Sequence, residues 1–191
     1  MARRVFFSFH FENDIWRANQ VRNANVVAGP DVAGFFDHSE YEEAKRKGDD
    51  EIKRLIRAKL QNTSVTVVLI GPQTAYRRYV QYEIEQSMAR NNGLLGVYIH
   101  HLKDRRGMAA SPFRGPNPAV PPTVEFPAYD WDGDLKRFAQ AIEEAGKRSD
   151  KQRNPLSASR FGPSPPVQFR TCDPPGPMAA GCDELEKSTV A

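Results

Sequence analysis

Short runs of continuous apolar residues alternate along this chain with longer stretches in which apolar residues recur every three or four positions. Val5-Phe6-Phe7-Ser8-Phe9 has the aromatic and β-branched character of a buried strand. The next stretch predicts a helix capped by Asn13 or Asp14, with Ile15, Trp16, Ala18 and Val21 facing inward. Val32 to Phe36 is a second strand, weakened by Gly34. Asp49-Asp50 opens a helix that buries Ile52, Leu55, Ile56 and Leu60. Val65 to Ile70 is the strongest strand pattern and stops at Gly71-Pro72. A helix over Tyr79–Arg90 places Val80, Ile84, Ser87 and Met88 on one face, and Leu94 to Ile99 is the fourth strand. A Gly-, Pro- and Arg-rich loop from His100 to about Pro122 leads to a short fifth strand at Val124-Glu125-Phe126. Asp132 then caps a last helix burying Leu135, Phe138, Ala139 and Ile142.

Apolar strands alternating with amphipathic helices predict an α/β fold, a doubly wound parallel sheet of the flavodoxin-like kind in strand order 2-1-3-4-5. After Gly146 the pattern stops and prolines crowd the sequence. The expected division is a folded domain over 1–148 and a disordered Pro-rich tail over 149–191. Composition agrees with that division. Only 39% of the 191 residues are hydrophobic, below the roughly 45–50% of an ordinary globular chain.

Charge changes the picture by exclusion. Twenty-seven basic residues face 24 acidic ones, a net charge of +3. The Arg-Arg pairs are short and scattered, so no phosphate-binding stripe exists and nucleic acid is not an expected partner. No apolar run approaches the roughly 20 residues of a membrane span. Met1-Ala2-Arg3-Arg4 does not read as a leader, and both cysteines, Cys172 and Cys182, lie in the tail. A cytoplasmic protein without membrane contact is expected.

Several chemistries fail on their motifs. The first strand-to-helix junction, Ser8 to Asn13, has no G-x-G-x-x-G, and Gly71-Pro72-Gln73-Thr74 is not a phosphate loop. Ile70-Gly71 stands where a receiver domain needs its aspartate. His100-His101 suggests a metal, but neighbouring side chains at a strand end should point apart and no Cys or carboxylate is suitably spaced. No metal site is expected. Ser8 near His10 lacks the G-x-S-x-G elbow of a nucleophilic serine.

In an open α/β sheet, ligands bind beyond the carboxyl ends of the strands where strand order reverses. The loops meeting there are Ser8–Asn13 and Gly71–Arg78, with Asp37 bordering the same end. Glu83 lies one turn into the following helix. It either overlooks that crevice or is a solvated acid favoured by the helix dipole.

The same residues carry a family resemblance. Arg4-Val5-Phe6-Phe7-Ser8-Phe9-His10 resembles the opening strand and loop of TIR domains. Val65–Ile70, a loop, and Tyr79-Val80-Gln81-Tyr82-Glu83 are similar to the second TIR signature. Val21-Arg22-Asn23, Thr63 to Thr66, Tyr82-Glu83-Ile84, Gly115-Pro116-Asn117-Pro118 and Tyr129-Asp130-Trp131 resemble the bacterial TIR-like branch of Thoeris antiphage systems.

That resemblance implies a glycohydrolase or cyclase that cleaves NAD and makes a cyclic ADP-ribose-type signal. A separate effector would read the diffusible nucleotide after a phage-derived trigger. It also implies homo-oligomers through head-to-tail contacts, and no cofactor, NAD being the substrate. Glu83 falls on the family's catalytic glutamate. Phe9 and His10 would stack on the rings of NAD, unless they are a core aromatic and a loop histidine. Asp37, Arg22, Asn23 and Asn117 are further substrate-binding candidates. Arg22 is equally a helix-surface arginine, Asn23 a helix cap and Asn117 a turn residue. Tyr79 and Tyr82 depart from the wider pattern of a tryptophan and a small residue, which leaves hydrolysis or cyclisation open. A non-catalytic scaffold, or a module that binds a nucleotide without cleaving it, are the alternatives.

Overall fold

A computed structural model describes residues 3–23 and 38–153. All of them belong to the first of two units of the chain, Met1–Ser159; the second, Arg160–Ala191, lies outside the described residues. The expected second strand at Val32–Phe36 and Asp37 also lie outside them.

Four strands form one parallel sheet in the order β1 (Val5–Phe9), β2 (Val65–Ile70), β3 (Gly93–Tyr98) and β4 (Ala128–Asp130). Val5 pairs with Val65, Val65 with Gly93 and Gly96 with Ala128. These are the expected first, third, fourth and fifth strands, in the expected sequence across the sheet. Every residue of β1, β2 and β3 is buried, as continuous apolar strands covered on both faces must be.

The helices are α1 (Phe11–Arg22), α2 (His38–Lys47), α3 (Asp49–Lys59), α4 (Arg78–Ala89) and α5 (Leu135–Arg153). Alternate residues of a strand face opposite sides. Val68 and Ile70 of β2 meet Leu94 and Tyr98 of β3 and Val80 and Ile84 of α4. Val65, Val67 and Leu69 turn the other way, into a cluster with Ala18 and Val21 of α1, Phe138, Ile142 and Ala145 of α5, and Ile52, Ile56 and Leu60 around α3.

Several local expectations shift. Helix α1 begins at Phe11, before either expected cap, so Asp14 lies inside the helix and is buried with Arg17 while Trp16 is exposed. Helix α2 has no counterpart in the pattern, because among its described side chains, Ser39–Lys47, only Tyr41 and Ala44 join the core. The last strand is Ala128–Asp130 rather than 124–126, although Val124 and Phe126 still pack on the sheet. Asp134, not Asp132, caps α5, accepting the N–H groups of Lys136 and Arg137. Leu135 and Ala139 face outward; α5 buries Phe138 and Ile142 as expected, and Ala145 and Ser149 besides. With Ser149 on that inner face, the helix carries past the expected boundary at 148 to Arg153.

The loop between β3 and β4 is long, as expected, but it is anchored. Arg17 donates to the carbonyl oxygens of Leu102 at 2.8 Å and Met108 at 3.1 Å, and Gln20 to that of Lys103 at 2.7 Å.

Helix α5 presses so closely on β3 that a Cβ at Gly93 would stand 1.8 Å from the backbone oxygen of Ala145. Backbone cannot swing aside as a side chain does. Gly93→Ala should therefore lower stability by about 2–3 kcal/mol, read as an earlier urea midpoint with an unchanged slope.

Candidate active site

Helix α4 presents one continuous buried stripe: Val80, Glu83, Ile84 and Ser87. The stripe follows helical spacing and packs against the sheet, so the one carboxylate on it is carried inward. Glu83 is 4% exposed. Ser8, in register with Val68 and on the face turned toward α4, donates a hydrogen bond from its hydroxyl to Glu83 Oε2 at 2.5 Å. One turn on, the Ser87 hydroxyl donates to the Glu83 carbonyl and receives the hydroxyl of Thr66. A strand-to-helix bond thus fixes the glutamate side chain, and a bond within α4, itself tied to β2 through Thr66, holds its backbone.

Burial pushes the Glu83 carboxyl up to about 8, against the smaller opposing pull of the Ser8 hydrogen bond. Near neutral pH the unliganded site holds this acid largely in its uncharged form. A carboxyl so far from its ordinary range, in a cleft, is a mark of functional sites.

The cleft is a cavity of about 550 Å³ with Glu83 in its lining, within the size range of small-molecule sites. Three parts of the chain wall it. The exit of β1 and the start of α1 supply Phe9, His10, Phe11 and Glu12; the junction of α2 and α3 supplies Tyr41, Lys45, Gly48 and Asp49; the approach to α4 supplies Tyr76, Arg77, Arg78 and Tyr79. Gly48 has φ of 110°, a left-handed backbone that costs glycine little and lets α3 start at once after α2.

The walls are tied together. Phe11 and Tyr41 stack with centroids 4.3 Å apart, and Lys45 bridges to Glu12 at 2.7 Å. The Tyr79 hydroxyl donates to Asp49 at 2.8 Å, and Arg78 bridges to the same carboxylate at 3.0 Å. The lining therefore pairs flat apolar surfaces with cations, the combination that accepts planar rings joined by an anionic group. His10, 5% exposed, is pushed below the ordinary imidazole range by burial and by the nearby Arg77, and its Nδ1 has no partner among the described residues.

Residues 6–104 match the family described as Thoeris protein ThsB, TIR-like domain. Over 140 residues, 72% of this chain and 69% of the relative, the sequence is 45% identical to ThsB1 of Bacillus cereus (strain MSX-D12), a protein provisionally named a cyclic ADP-D-ribose synthase. The chain belongs to the Thoeris ThsB TIR-like family.

Within this TIR-like domain the structure gathers some of the expected site residues and separates others. Glu83, Phe9 and His10 come together in the cavity. Arg22 does not, because it ends the helix whose first residue is at the cavity, and eleven further residues carry it about 16 Å along the axis. Asn23 is the C-cap of that helix, its N–H donating to the Asn19 carbonyl. Asn117 is exposed on the loop before β4 and accepts the Tyr98 hydroxyl at 2.5 Å, outside the cavity lining. Asp37 lies outside the described residues.

Sequence reading missed Ser8 as the partner of Glu83, and missed Tyr41, Lys45 and Asp49 altogether. The register of β1 carried a signal for Ser8, the lone polar residue in a buried strand. The others come from the α2–α3 junction, whose helical spacing is too sparse to reveal α2.

Proposed function

We propose that this TIR-like protein cleaves NAD between ribose and nicotinamide and makes a cyclic ADP-ribose-type signal for an effector in antiphage defence. The observation that carries the reading is Glu83 standing in the wall of an open cavity beside the exit of β1. A scaffold without catalysis would have no reason to keep a buried acid at the cost of its desolvation, nor to leave the crevice unfilled.

The chemistry asks for one carboxylate. Ordinary glycosidases use two, because a poor leaving group must be protonated. Nicotinamide departs from NAD as a neutral ring, taking the electrons of the glycosidic bond and quenching its own positive charge. The ribose is left as an oxocarbenium-like cation. Glu83, ionised, stabilises that charge and orients the ribose hydroxyls. A nucleophile elsewhere in the same dinucleotide then closes the ring, or water yields the linear product. NAD is consumed, so the proposed reaction calls for no redox cofactor.

The aromatic walls Phe9, Phe11, Tyr41 and Tyr79 would hold the two bases, and Lys45, Arg77 and Arg78 the diphosphate. The cationic nicotinamide ring also explains how the acid becomes useful: a positive charge brought beside Glu83 favours its ionised form. Head-to-tail assembly and a phage-derived trigger belong to the same reading. No helix among the described residues is long and apolar enough to cross a membrane. The reading keeps the protein in the cytoplasm, where NAD is at hand.

Purified protein incubated with NAD, alone and with lysate of phage-infected cells, should release nicotinamide together with a product of the mass of ADP-ribose less one water. No nicotinamide above the protein-free controls in either setting would overturn the reading. The pH profile adds a second check. The dependence of kcat/KM should rise through about 8 as Glu83 ionises. Ser8→Ala removes the one bond that favours the carboxylate, so its profile should move up by about one pH unit.

A further inference from the structure

Outside the cavity, His100, His101 and Asp130 converge where β3 and β4 end. Each offers a ligand atom, and the three atoms lie within 4.8 Å of one another. Sequence alternation predicted that the two histidines would diverge. They do not, because β3 ends at Tyr98 and both residues sit in the turn beyond it, where strand alternation no longer applies. Their rings stand 5.0 Å apart. The missing carboxylate comes from β4, 29 residues further on, through the parallel pairing of Tyr98 with Asp130.

We propose that His100, His101 and Asp130 form a binding site for a divalent cation of the zinc class. Three features beyond proximity support it. His101 Nε2 lies 2.7 Å from the carbonyl oxygen of Trp131. A carbonyl only accepts, so Nε2 carries the proton and Nδ1 is left with its lone pair. A backbone carbonyl behind the ring is the usual arrangement of a metal-ligating histidine. His100 is buried at 7% exposure, and its Nδ1 has no hydrogen-bond partner among the described residues. Asp130 is bound by Arg114 through both oxygens, and hydrogen-bonded carboxylates are common among ligands.

Two imidazoles and one carboxylate fit zinc better than magnesium or calcium, which prefer oxygen donors. Donors about 3.4 Å apart around a tetrahedral ion require these side chains to close by about an ångström. His101 and Asp130 are not fully buried and have room to do so. An open fourth position would take water. The bound ion would tie the exit of β3 to the end of β4 and so hold both ends of the long loop between them. This proposal does not rest on NAD cleavage.

The test uses the full-length chain, free of tags and stripped of metal, titrated with Co²⁺ and then Zn²⁺. One equivalent of Co²⁺ should bind with the visible absorption of a tetrahedral site and be displaced by Zn²⁺. His101→Ala and Asp130→Asn should each weaken binding at least ten-fold with unchanged circular dichroism. The double variant Cys172→Ser/Cys182→Ser should bind as the parent does. No binding, equal binding by the His101 and Asp130 variants, or loss of binding in the cysteine variant would each overturn the proposal.

Discussion

Glu83→Gln should make this protein more stable, and increasingly so as pH rises. Burial lifts the carboxyl from 4.5 in the unfolded chain to about 8 in the fold. The fold therefore holds on to a proton that the unfolded chain releases. Stability contributed by the neutral acid is complete below about pH 4.5 and is lost progressively as pH climbs through about 8. Glutamine has the same shape, carries no charge and still accepts the Ser8 hydroxyl. At pH 8 the variant should gain about 4 kcal/mol, or about 12 °C in Tm for a chain of this size, and the gain should vanish toward pH 4.5. Thermal melts of both proteins across that range check it. A gain that does not depend on pH would mean that Glu83 is not desolvated as described. Stability sacrificed at one residue in this way is what an active site in need of a reactive acid entails.

Arg17→Ala should act in the opposite direction. Arg17 is 5% exposed and Asp14 1%. Its guanidinium donates to Asp14 at 3.2 Å, to the Asn13 carbonyl at 2.9 Å, and to the two carbonyls that anchor the loop after β3. Removing it frees the loop and leaves Asp14 buried with its other oxygen already without a partner among the described residues. Breaking such a pair from one side costs about 3–5 kcal/mol, a large part of the 5–15 kcal/mol that holds a typical domain together. Burial already raises the Asp14 carboxyl despite the attraction of Arg17, and without Arg17 it rises further. The deficit should therefore be smallest in acid, where Asp14 is protonated, and grow as pH rises through its folded value. Adding Asp14→Asn should recover much of the loss at neutral pH, since the uncompensated charge is gone. Urea midpoints of the single and double variants decide it. Failure of the second substitution to help would place the cost in the loop anchors alone.

The strands were legible because they are buried on both faces, so that apolar continuity alone marks Val5–Phe9 and Val65–Ile70. Helix α3 was legible for the matching reason, an unbroken stripe from Ile52 to Leu60. Helix α2 was hidden: it gives the core one tyrosine and one alanine from a charged segment, and the stacking of Tyr41 on Phe11 follows from the fold alone. The place of Glu83 in the cavity wall could be anticipated because it interrupts an apolar stripe where two strand ends meet. Asp130 beside His100 and His101 could not, since its nearness depends on the register of β3 against β4. Arg22 and Asn117 were drawn into the site by their place in family motifs. Helix length and the course of the loop after β3 put them elsewhere.

The central claim, that the Glu83 carboxylate breaks the bond to nicotinamide, is tested most directly by nicotinamide release from NAD, with the parent protein and Glu83→Gln side by side under the same activating conditions. The account predicts release by the parent and a fall of at least about 10²- to 10³-fold in the variant, the cost of losing one preorganised electrostatic group, in a protein that melts later than the parent. Equal rates from the two proteins would contradict it.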